Sequence, residues 1–341
     1  MAAPITVFAN AELDEHTTPD WHPERPGRLR ASLAGISEAG LLDAVEFREP
    51  RLATVAELER VHAPSYVAQL ERFCERGGGD LDPDTFAAPG SWTTALRAAG
   101  AVLDAVDALE AGSCDVAFAA GRPPGHHAVP DRAMGFCLVN NVAVAAAKLA
   151  ADGQRVAIVD WDVHHGNGTQ ETFYEAGDVV YLSIHEFPFY PGTGWLDEDG
   201  DQQGSGHIVN LPLPARSGGD VYAEAMERII QPVIREFDPH WILVSSGFDA
   251  HRDDPLADQM LVNADYGRMA AAVAAVAPAS RTIFFLEGGY DLAAIEGSTA
   301  TALRATAGLD FPDEVPVDSP VRSHQILELV AVKVASDWGL G

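Results

Sequence analysis

Six short apolar runs, each followed by polar residues, constrain the fold of this chain more than any other feature. Several of them are apolar at every position, as strands are when helices cover both faces of a sheet. Longer amphipathic stretches separate them, and this alternation predicts an α/β fold with an open, mainly parallel sheet. The predicted strands are Asp115–Ala120, Arg155–Trp161, Val179–Ile184, His207–Leu211, Trp241–Ser245 and Arg281–Leu286. The predicted helices are Ser91–Ala111, Val139–Ala151, Asp220–Phe237, Ala264–Ala277 and a final helix at Val321–Trp338.

The chain has 341 residues, which allows two domains or one large α/β domain. No charge-rich or Ser/Gly-rich linker divides it, and it contains no internal repeat. We therefore predict one domain over residues 1–341. The glycine run Gly77–Gly79 and the stretch Asp197–Gly206 are predicted to be loops.

The charge balance excludes some partners. With 22 Lys+Arg against 51 Asp+Glu, the formal net charge is −29. Nucleic acids and anionic membranes both require clustered positive charge, so neither is an expected partner. The acidic surface would attract Lys-rich peptides, polyamines and metal ions, although solubility alone is a sufficient reason for it.

The cysteines and the N-terminus indicate the compartment. Cys74, Cys114 and Cys137 are odd in number and are not spaced like a disulfide framework or a zinc ribbon. The N-terminus lacks the basic region of a signal peptide, and no apolar run reaches the roughly 20 residues that a membrane span requires. A cytoplasmic protein is expected.

Acidic residues and a histidine follow the strand predicted at Arg155–Trp161. Asp160, Asp162 and His164 are spaced at i, i+2 and i+4, which on extended backbone directs their side chains to one side. Asp249 follows another predicted strand and should reach the same edge. Two carboxylates and an imidazole can bind a metal ion and leave one position open, as in catalytic zinc sites. The alternative is that these acidic residues cap the following helix.

Two further motifs carry groups that suit proton transfer. His126 and His127 follow Pro123-Pro124-Gly125, which restricts the backbone, and Tyr290 follows Gly288-Gly289. Histidine can act as a base for water and as an acid for a leaving amine, and a phenol can stabilise an oxyanion. Taken singly, a histidine pair or a tyrosine after a turn is more often structural.

Together these motifs resemble those of the zinc-dependent histone deacetylases, including their bacterial relatives, the deacetylase-like amidohydrolases and acetylpolyamine amidohydrolases. The resemblance covers residues 21–308, with the motifs in the family order: RPPGHH, GFCLVNN, DWDVHHGNGTQ, SSGFDAHRDDPL and LEGGYDL. It implies the single-domain, three-layer arginase/deacetylase fold, with a mainly parallel sheet of about eight strands and helices on both faces. Residues 309–341 would be an extension that packs on the domain.

The resemblance also assigns roles to individual residues. Asp162, His164 and Asp249 match the zinc ligands, and His126, His127 and Tyr290 match the catalytic set. Asp160 matches the carboxylate that orients His126. Asn167 stands where class I enzymes carry the Asp that orients His127, so His127 should be neutral more of the time, as a general base requires.

Other positions are assigned to the substrate tunnel and to a second ion. Phe136 and Tyr190 match the two aromatic residues that line the tunnel, and Tyr190 stands where the family more often has Phe. Gly135 would supply a backbone carbonyl to the tunnel wall, and Gly288 would belong to the same wall. Family members hold K⁺ or Na⁺ near the zinc, and the matching residues are Asp160, Asp162, His164 and Ser183. Arg25 matches the arginine of an internal pocket through which acetate leaves.

The implied reaction is removal of an acyl group from N-ε-acyl-lysine by attack of metal-activated water. Polyamine-selective relatives carry Glu seven residues after the last zinc ligand, whereas this chain has Leu256, which favours acetyl-lysine in a peptide. An acetylpolyamine remains the alternative substrate, because Asp82 and Asp84 could replace the missing Glu. A non-catalytic acyl-amide-binding protein and an arginase-like binuclear manganese hydrolase are further alternatives. Acyl-chain preference, the choice among Zn, Fe and Co, and a possible homo-oligomer stay open.

Overall fold

The computed structural model of the chain describes residues 4–9, 11–41 and 43–340. Residues 1–3, 10, 42 and 341 of the predicted domain lie outside the described residues. Eight strands form one sheet in the order β2-β1-β5-β10-β9-β6-β7-β8, and every neighbouring pair is parallel. These strands are β1 Ile5–Phe8, β2 Val45–Arg48, β5 Val116–Ala119, β6 Val156–Asp160, β7 Val179–Glu186, β8 Ile208–Leu213, β9 Trp241–Ser246 and β10 Thr282–Leu286. A two-residue antiparallel pair, β3 Gly79–Asp80 and β4 Phe86–Ala87, lies outside this sheet.

Helices cover both faces of the sheet, which explains why its inner strands are apolar throughout. Along β6, Val156 and Ile158 belong to one hydrophobic cluster, whereas Ala157 and Val159 belong to the other. The helices that contribute to the first of these clusters are α2 Val55–Leu58, α3 Pro64–Glu75, α4 Ser91–Glu110, α5 Asn141–Ala151 and α6 Asn167–Phe173. The second contains residues from α1 Gly27–Glu38, α7 Gly219–Ala225, α8 Gln231–Phe237, α9 Asn263–Ala274, α10 Leu292–Thr306 and α11 Val321–Trp338. The predicted single-domain, three-layer α/β architecture is confirmed.

The sequence-based prediction missed or misplaced several elements. The strands β1 and β2 at one side of the sheet are four residues each, and the edge strand β2 is only half-buried, so neither shows a long apolar run. Three helices of 12 to 15 residues, α1, α3 and α10, were also not predicted. The helix predicted at Asp220–Phe237 is interrupted by a π-helical turn at Met226–Ile230. Gly79, predicted to lie in a loop, begins the short strand β3.

The C-terminal helix packs on the rest of the domain. Leu327, Val330 and Val334 of α11 are buried and belong to the same hydrophobic cluster as the strands. The helix contacts β8 and α7, so residues after 308 cover the outer end of the sheet. Among the residues that the structure describes, no helix is both long enough and apolar enough to cross a membrane.

The sheet topology determines where the polar motifs meet. After β6 the chain continues to β7 and β8 on one side, whereas after β9 it continues to β10 on the other, so the adjacent strands β6 and β9 lead in opposite directions in the middle of the sheet. Ligands of open α/β sheets bind beyond the carboxyl ends of the strands at such a point. The loops after β5, β6, β9 and β10 carry the histidine pair, the acidic residues and Tyr290.

Candidate metal and catalytic site

Asp162, His164 and Asp249 lie together at the carboxyl edge of the sheet. Nδ1 of His164 is 3.2 Å from Oδ1 of Asp162 and 3.2 Å from Oδ2 of Asp249. One potential ligand atom from each residue lies within 4.8 Å of the others, and all three residues are buried. The structure therefore brings together the three predicted metal ligands.

The backbone that carries them is not extended, contrary to the prediction. Strand β6 ends at Asp160, and the residues after it form bends. Backbone amides close these bends: Asp162 N–H donates to Oδ1 of Asp160 at 3.1 Å, and His164 N–H donates to Oδ1 of Asp162 at 2.9 Å. Asp249 receives the N–H of Val163 at 2.9 Å, which joins the two loops. The carboxylates thus hold the loop in place through hydrogen bonds, and they also lie close to one another.

The charges at this site fit a cation. Burial alone would lower the pKa of His164, but the two neighbouring carboxylates, Asp162 and Asp249, raise it to about 10. Burial opposes ionisation of Asp162, yet His126 and His164 hold its pKa below the ordinary value. Two buried carboxylates beside one imidazole therefore bind positive charge strongly. Oxygen and nitrogen ligands of this kind suit a divalent ion such as zinc.

His126 and His127 have different hydrogen-bond partners. Nδ1 of His126 donates to the Asp160 carboxylate at 3.0 Å, and its Nε2 is 3.7 Å from Asp162. Nδ1 of His127 lies 2.9 Å from Oδ1 of the Asn167 amide. Because an amide oxygen accepts a hydrogen, Nδ1 of His127 carries the proton and its Nε2 lone pair is free.

The pKa values of the two histidines are shifted in opposite directions. Burial lowers the pKa of His126, but Asp162 and Asp160 outweigh it and raise the pKa to about 10. Burial lowers the pKa of His127 well below its ordinary value, and His126 and His164 lower it further. His127 is therefore neutral near pH 7, in agreement with the effect expected of Asn167.

Tyr290 reaches the site through a glycine turn after β10. Gly288 N–H donates to Oδ2 of Asp162 at 2.7 Å, and a Cβ at this position would lie 2.1 Å from Oδ2 of Asp249. Only glycine fits this close approach. Burial raises the pKa of Tyr290 well above its ordinary value, so the phenol keeps its hydrogen for donation.

A cavity of about 220 Å³ leads to these groups. Phe136 and Tyr290 form one aromatic pair of its wall, with ring centroids 5.7 Å apart, and Tyr190 lies 5.1 Å from the His127 ring. Leu256 also contributes to the wall. The lining residues are Asp84, His127, Gly135, Phe136, His164, Phe189, Tyr190, Leu256 and Tyr290.

Two adjacent left-handed residues place the Phe136 ring. Gly135 has φ +56° and Phe136 has φ +66°, a conformation that a bulky residue rarely adopts. Phe136 N–H donates to the Thr85 hydroxyl at 3.1 Å, which holds the strained turn. A side chain on Gly135 would meet the His127 ring at 2.4 Å, so the glycine is needed beside the histidine.

Most of the chain is similar to known proteins. Residues 22–306 match the family described as the histone deacetylase domain. The chain belongs to the histone deacetylase family. A probable deacetylase of Archaeoglobus fulgidus is 38% identical over 312 residues, covering 89% of this chain and 87% of that protein. A histone deacetylase-like amidohydrolase of Pseudomonas aeruginosa is 40% identical over 277 residues, covering 79% of this chain and 72% of that protein.

A solved structure supports the same assignment. The crystal structure of the HDA15 HD domain superposes with a TM-score of 0.92 and 34% identity, covering 99% of this chain and 96% of that one. The protein therefore has the arginase/deacetylase fold, and it is a hydrolase of the histone deacetylase family that acts on amides. The family is generally metal-dependent, in agreement with the Asp162, His164 and Asp249 cluster.

One residue predicted for this deacetylase fold is misplaced. Arg25 is exposed at the surface, whereas Arg28, one helical turn later, is fully buried. The Arg28 guanidinium lies over the Tyr290 ring at 4.9 Å and donates to the carbonyls of Glu287 and Gly289. It also pairs with the buried carboxylate of Glu24 at 2.9 Å. Arg28, not Arg25, is therefore the internal arginine, because its position on α1 faces the glycine turn.

Several functional neighbours in this deacetylase site were not predicted. The Phe189 ring stacks on the His164 ring, with the ring centroids 5.3 Å apart. Phe189 directly precedes the predicted tunnel residue Tyr190, and that position is the sequence signal by which it could have been found. The Tyr181 hydroxyl donates to Asp160 at 2.9 Å from within a strand, where nothing in the sequence marks it.

The fully buried Glu287 carboxylate receives the N–H groups of Gly125 at 2.7 Å and His126 at 3.2 Å. It thus ties the histidine pair to the tyrosine turn.

Proposed function

We propose that this protein removes acetyl groups from acetyl-lysine side chains of peptides or proteins. The observation that carries the proposal is the chemistry of the cavity wall. Aromatic rings and the aliphatic Leu256 line it, while His127, His164 and Tyr290 lie among its polar lining residues. Such a cavity suits a neutral acylated alkyl amine, and at Leu256 it offers no carboxylate to a free ammonium group.

The metal proposed for the site is zinc. Asp162, His164 and Asp249 would hold it, and among the described residues they are the one group of three side chains with that arrangement. When bound, the ion would supply Lewis-acid polarisation of the amide carbonyl and would lower the pKa of water. A single group of this kind favours one divalent ion over a binuclear centre.

His127 is proposed to move the proton. Its free Nε2 accepts a proton from the attacking water and returns it to the leaving amine. His126 stays protonated between Asp160 and Asp162, and its positive charge keeps the pKa of His127 low. Asn167 fixes the orientation of the His127 ring without adding a charge.

Tyr290 is proposed to stabilise the negative charge that develops on the substrate oxygen. Its phenol stays protonated because burial raises its pKa, and the glycine turn holds it at the cavity. A fixed donor in a water-poor site stabilises an oxyanion more than a solvated donor does. Gly135, Phe136, Tyr190, Leu256 and Gly288 are proposed to shape the acyl-lysine tunnel.

A monovalent cation, K⁺ or Na⁺, is proposed beside the divalent site, near Asp160, Asp162, His164 and Ser183. Asp160 and Ser183 are register partners on β6 and β7, and both are fully buried. Nε2 of His185 donates to the Gly194 carbonyl at 2.9 Å, so its Nδ1 accepts the Ser183 hydroxyl hydrogen at 2.9 Å. The Ser183 oxygen therefore keeps its lone pairs for a cation.

A cytoplasmic, reducing compartment is proposed for the reaction. Cys74, Cys114 and Cys137 are all free and buried. Burial raises the pKa of each thiol, most strongly at Cys137, which keeps the sulfur protonated and unreactive.

An acetylpolyamine is the second candidate substrate, and Asp84 is the observation that favours it. Asp84 lines the cavity and is half-buried beside Asp82. Against this, burial raises the pKa of Asp84, and its carboxylate already accepts the Thr85 hydroxyl at 2.8 Å. Both features weaken it as a partner for an ammonium group.

The test is a side-by-side assay of the zinc-loaded protein with an acetyl-lysine peptide and N-acetylputrescine. We expect kcat/KM to favour the peptide by about tenfold or more. A preference of that size for N-acetylputrescine would overturn the proposed substrate and assign the polyamine cation to Asp82 and Asp84. Absence of hydrolysis with both substrates would overturn both candidate substrates.

A further inference from the structure

Asp254 is a buried carboxylate that receives three backbone N–H groups. Oδ2 accepts from Tyr290 at 2.6 Å and from Asp291 at 3.3 Å. Oδ1 accepts from Leu256 at 3.0 Å. The residue is 6% exposed, and its own N–H donates to the His251 carbonyl at 2.9 Å. One side chain therefore joins its own loop, which carries Leu256, to the turn that carries Tyr290.

Those two loops form part of the wall of the catalytic cavity. Leu256 belongs to the loop after β9, and Tyr290 belongs to the turn after β10. Both side chains line the cavity. The two oxygens of Asp254 consequently link the proposed oxyanion donor to the residue proposed to select the substrate.

This arrangement is costly, which argues for a role beyond packing. Within the described part of the chain, no Lys, Arg or His nitrogen forms an ion pair with Asp254. Burial, together with the nearby Asp249, raises the pKa of its carboxyl group to about 7. A buried carboxylate without a cation is destabilising unless hydrogen bonds compensate it. Here the compensating donors are the backbone amides of the cavity wall.

Capping of α10 does not account for Asp254. The helix has its own cap, because Asp291 accepts the N–H of Ala294 at 2.8 Å. Of the three bonds that Asp254 accepts, the Tyr290 bond is the shortest and precedes the helix.

We propose that Asp254 is a positioning residue that holds the Tyr290 phenol and the Leu256 side chain at a fixed separation across the substrate. The inference rests on the proposed function, in which Tyr290 donates to the substrate oxygen. Asp254 touches neither the substrate nor the metal ligands in this scheme; it acts through the backbone of the two loops.

A double-mutant cycle tests the Tyr290 part. The proteins compared are the wild type, Asp254→Asn, Tyr290→Phe and the double variant, each zinc-loaded, with an acetyl-lysine peptide. Asparagine keeps the shape but has only one acceptor oxygen, so it loses one of the two linkages. We expect Asp254→Asn to lower kcat/KM by about ten- to a hundredfold, because a hydrogen bond to a charged acceptor is lost and the proposed position of Tyr290 with it. The change should appear mainly in kcat.

Non-additivity is the decisive readout. Tyr290→Phe should lower turnover by about 10²–10³, and Asp254→Asn added to it should lower turnover little further, because Asp254 acts through the lost hydroxyl. Additive losses would overturn the inference while leaving the role of Tyr290 intact. Normal turnover in Tyr290→Phe would overturn the proposed role of Tyr290, and the inference with it.

The proposed role of Asp254 in positioning Leu256 is tested by the selectivity between two substrates. Asp254→Asn should change the ratio of kcat/KM between the acetyl-lysine peptide and N-acetylputrescine, and an unchanged ratio would overturn this part. The matched control is Asp253→Asn, since Asp253 is adjacent and its side chain is 63% exposed. If Asp254→Asn fails to fold, Asp254→Ser replaces it, because the single short hydroxyl cannot link both loops, while an admitted water can bond to the N–H groups that are freed. The same non-additive pattern is then expected.

Discussion

His126 and His127 are consecutive residues with ring centroids 4.1 Å apart, yet their Nδ1 atoms bond to oxygens of different charge. His126 meets the carboxylate of Asp160, and His127 meets the amide of Asn167. One imidazole is thereby held protonated and the other neutral, although they share the same buried pocket. The protein thus places a fixed positive charge beside a free base.

This difference predicts the effect of Asn167→Asp on the pH dependence of catalysis. A carboxylate at 167 would stabilise protonated His127 and raise its pKa. The base is active when neutral, so activity is lost as the pH falls through this pKa. The acidic limb of the kcat/KM profile should therefore move to higher pH, and kcat/KM near pH 7 should fall. A profile of kcat/KM against pH measures this, and an unmoved acidic limb would contradict the role of His127.

The metal assignment predicts the effect of His164→Ala. The imidazole supplies one of three ligands, and its removal leaves two buried carboxylates that repel each other. Bound zinc should fall from one equivalent to a small fraction, and turnover should be lost with it. Metal analysis after dialysis measures the stoichiometry. His240→Ala is the control, because His240 is exposed and accepts the N–H of Arg155, which precedes β6. Retained stoichiometric zinc in His164→Ala would show that the ligand set is wrong.

Leu256→Glu tests the substrate preference directly. A carboxylate on this part of the cavity wall would attract the distal ammonium of an acetylpolyamine, so the preference should move toward N-acetylputrescine. Leu256→Gln has a side chain of the same length as Glu without the charge, and it should leave the ratio closer to that of the wild type. The measurement is the ratio of kcat/KM for the two substrates. A shift of equal size in both variants would mean that shape, rather than charge, decides.

The sequence predicted the residues of the site better than the local geometry that brings them together. Asp162, His164 and Asp249 could be placed at one edge because parallel strands present their carboxyl ends together. The bends after Asp160 could not be foreseen, because they depend on side chains bonding to nearby backbone amides and, for the Val163 amide, on a carboxylate from another loop. The sequence likewise does not show that the start of α1 turns Arg28 inward and leaves Arg25 at the surface.

Short or half-exposed elements set a similar limit for the fold. The inner strands are apolar on both faces and were identified by composition alone. By contrast, β1 and β2 are four residues long, and β2 is an edge strand with exposed side chains. The positive φ of Phe136 was likewise invisible, since the Thr85 hydroxyl that holds it is 51 residues away.

A histidine outside the site predicts how stability depends on pH. His62 is 1% exposed; its Nδ1 donates to the Val129 carbonyl at 3.1 Å, and its Nε2 accepts the Asn140 N–H at 2.9 Å. Burial lowers its pKa from 6.5 to about 4. Between these values the unfolded chain binds more protons than the folded protein, so stability falls as the pH drops. From pH 7 to pH 5 this histidine should remove about 2 kcal/mol from the free energy of unfolding.

Urea unfolding of the wild type and of His62→Gln at both pH values measures this loss of stability, with His240→Gln as the exposed control. His62→Gln should lose less stability over this interval than the wild type and the control, and equal losses in all three proteins would contradict the prediction.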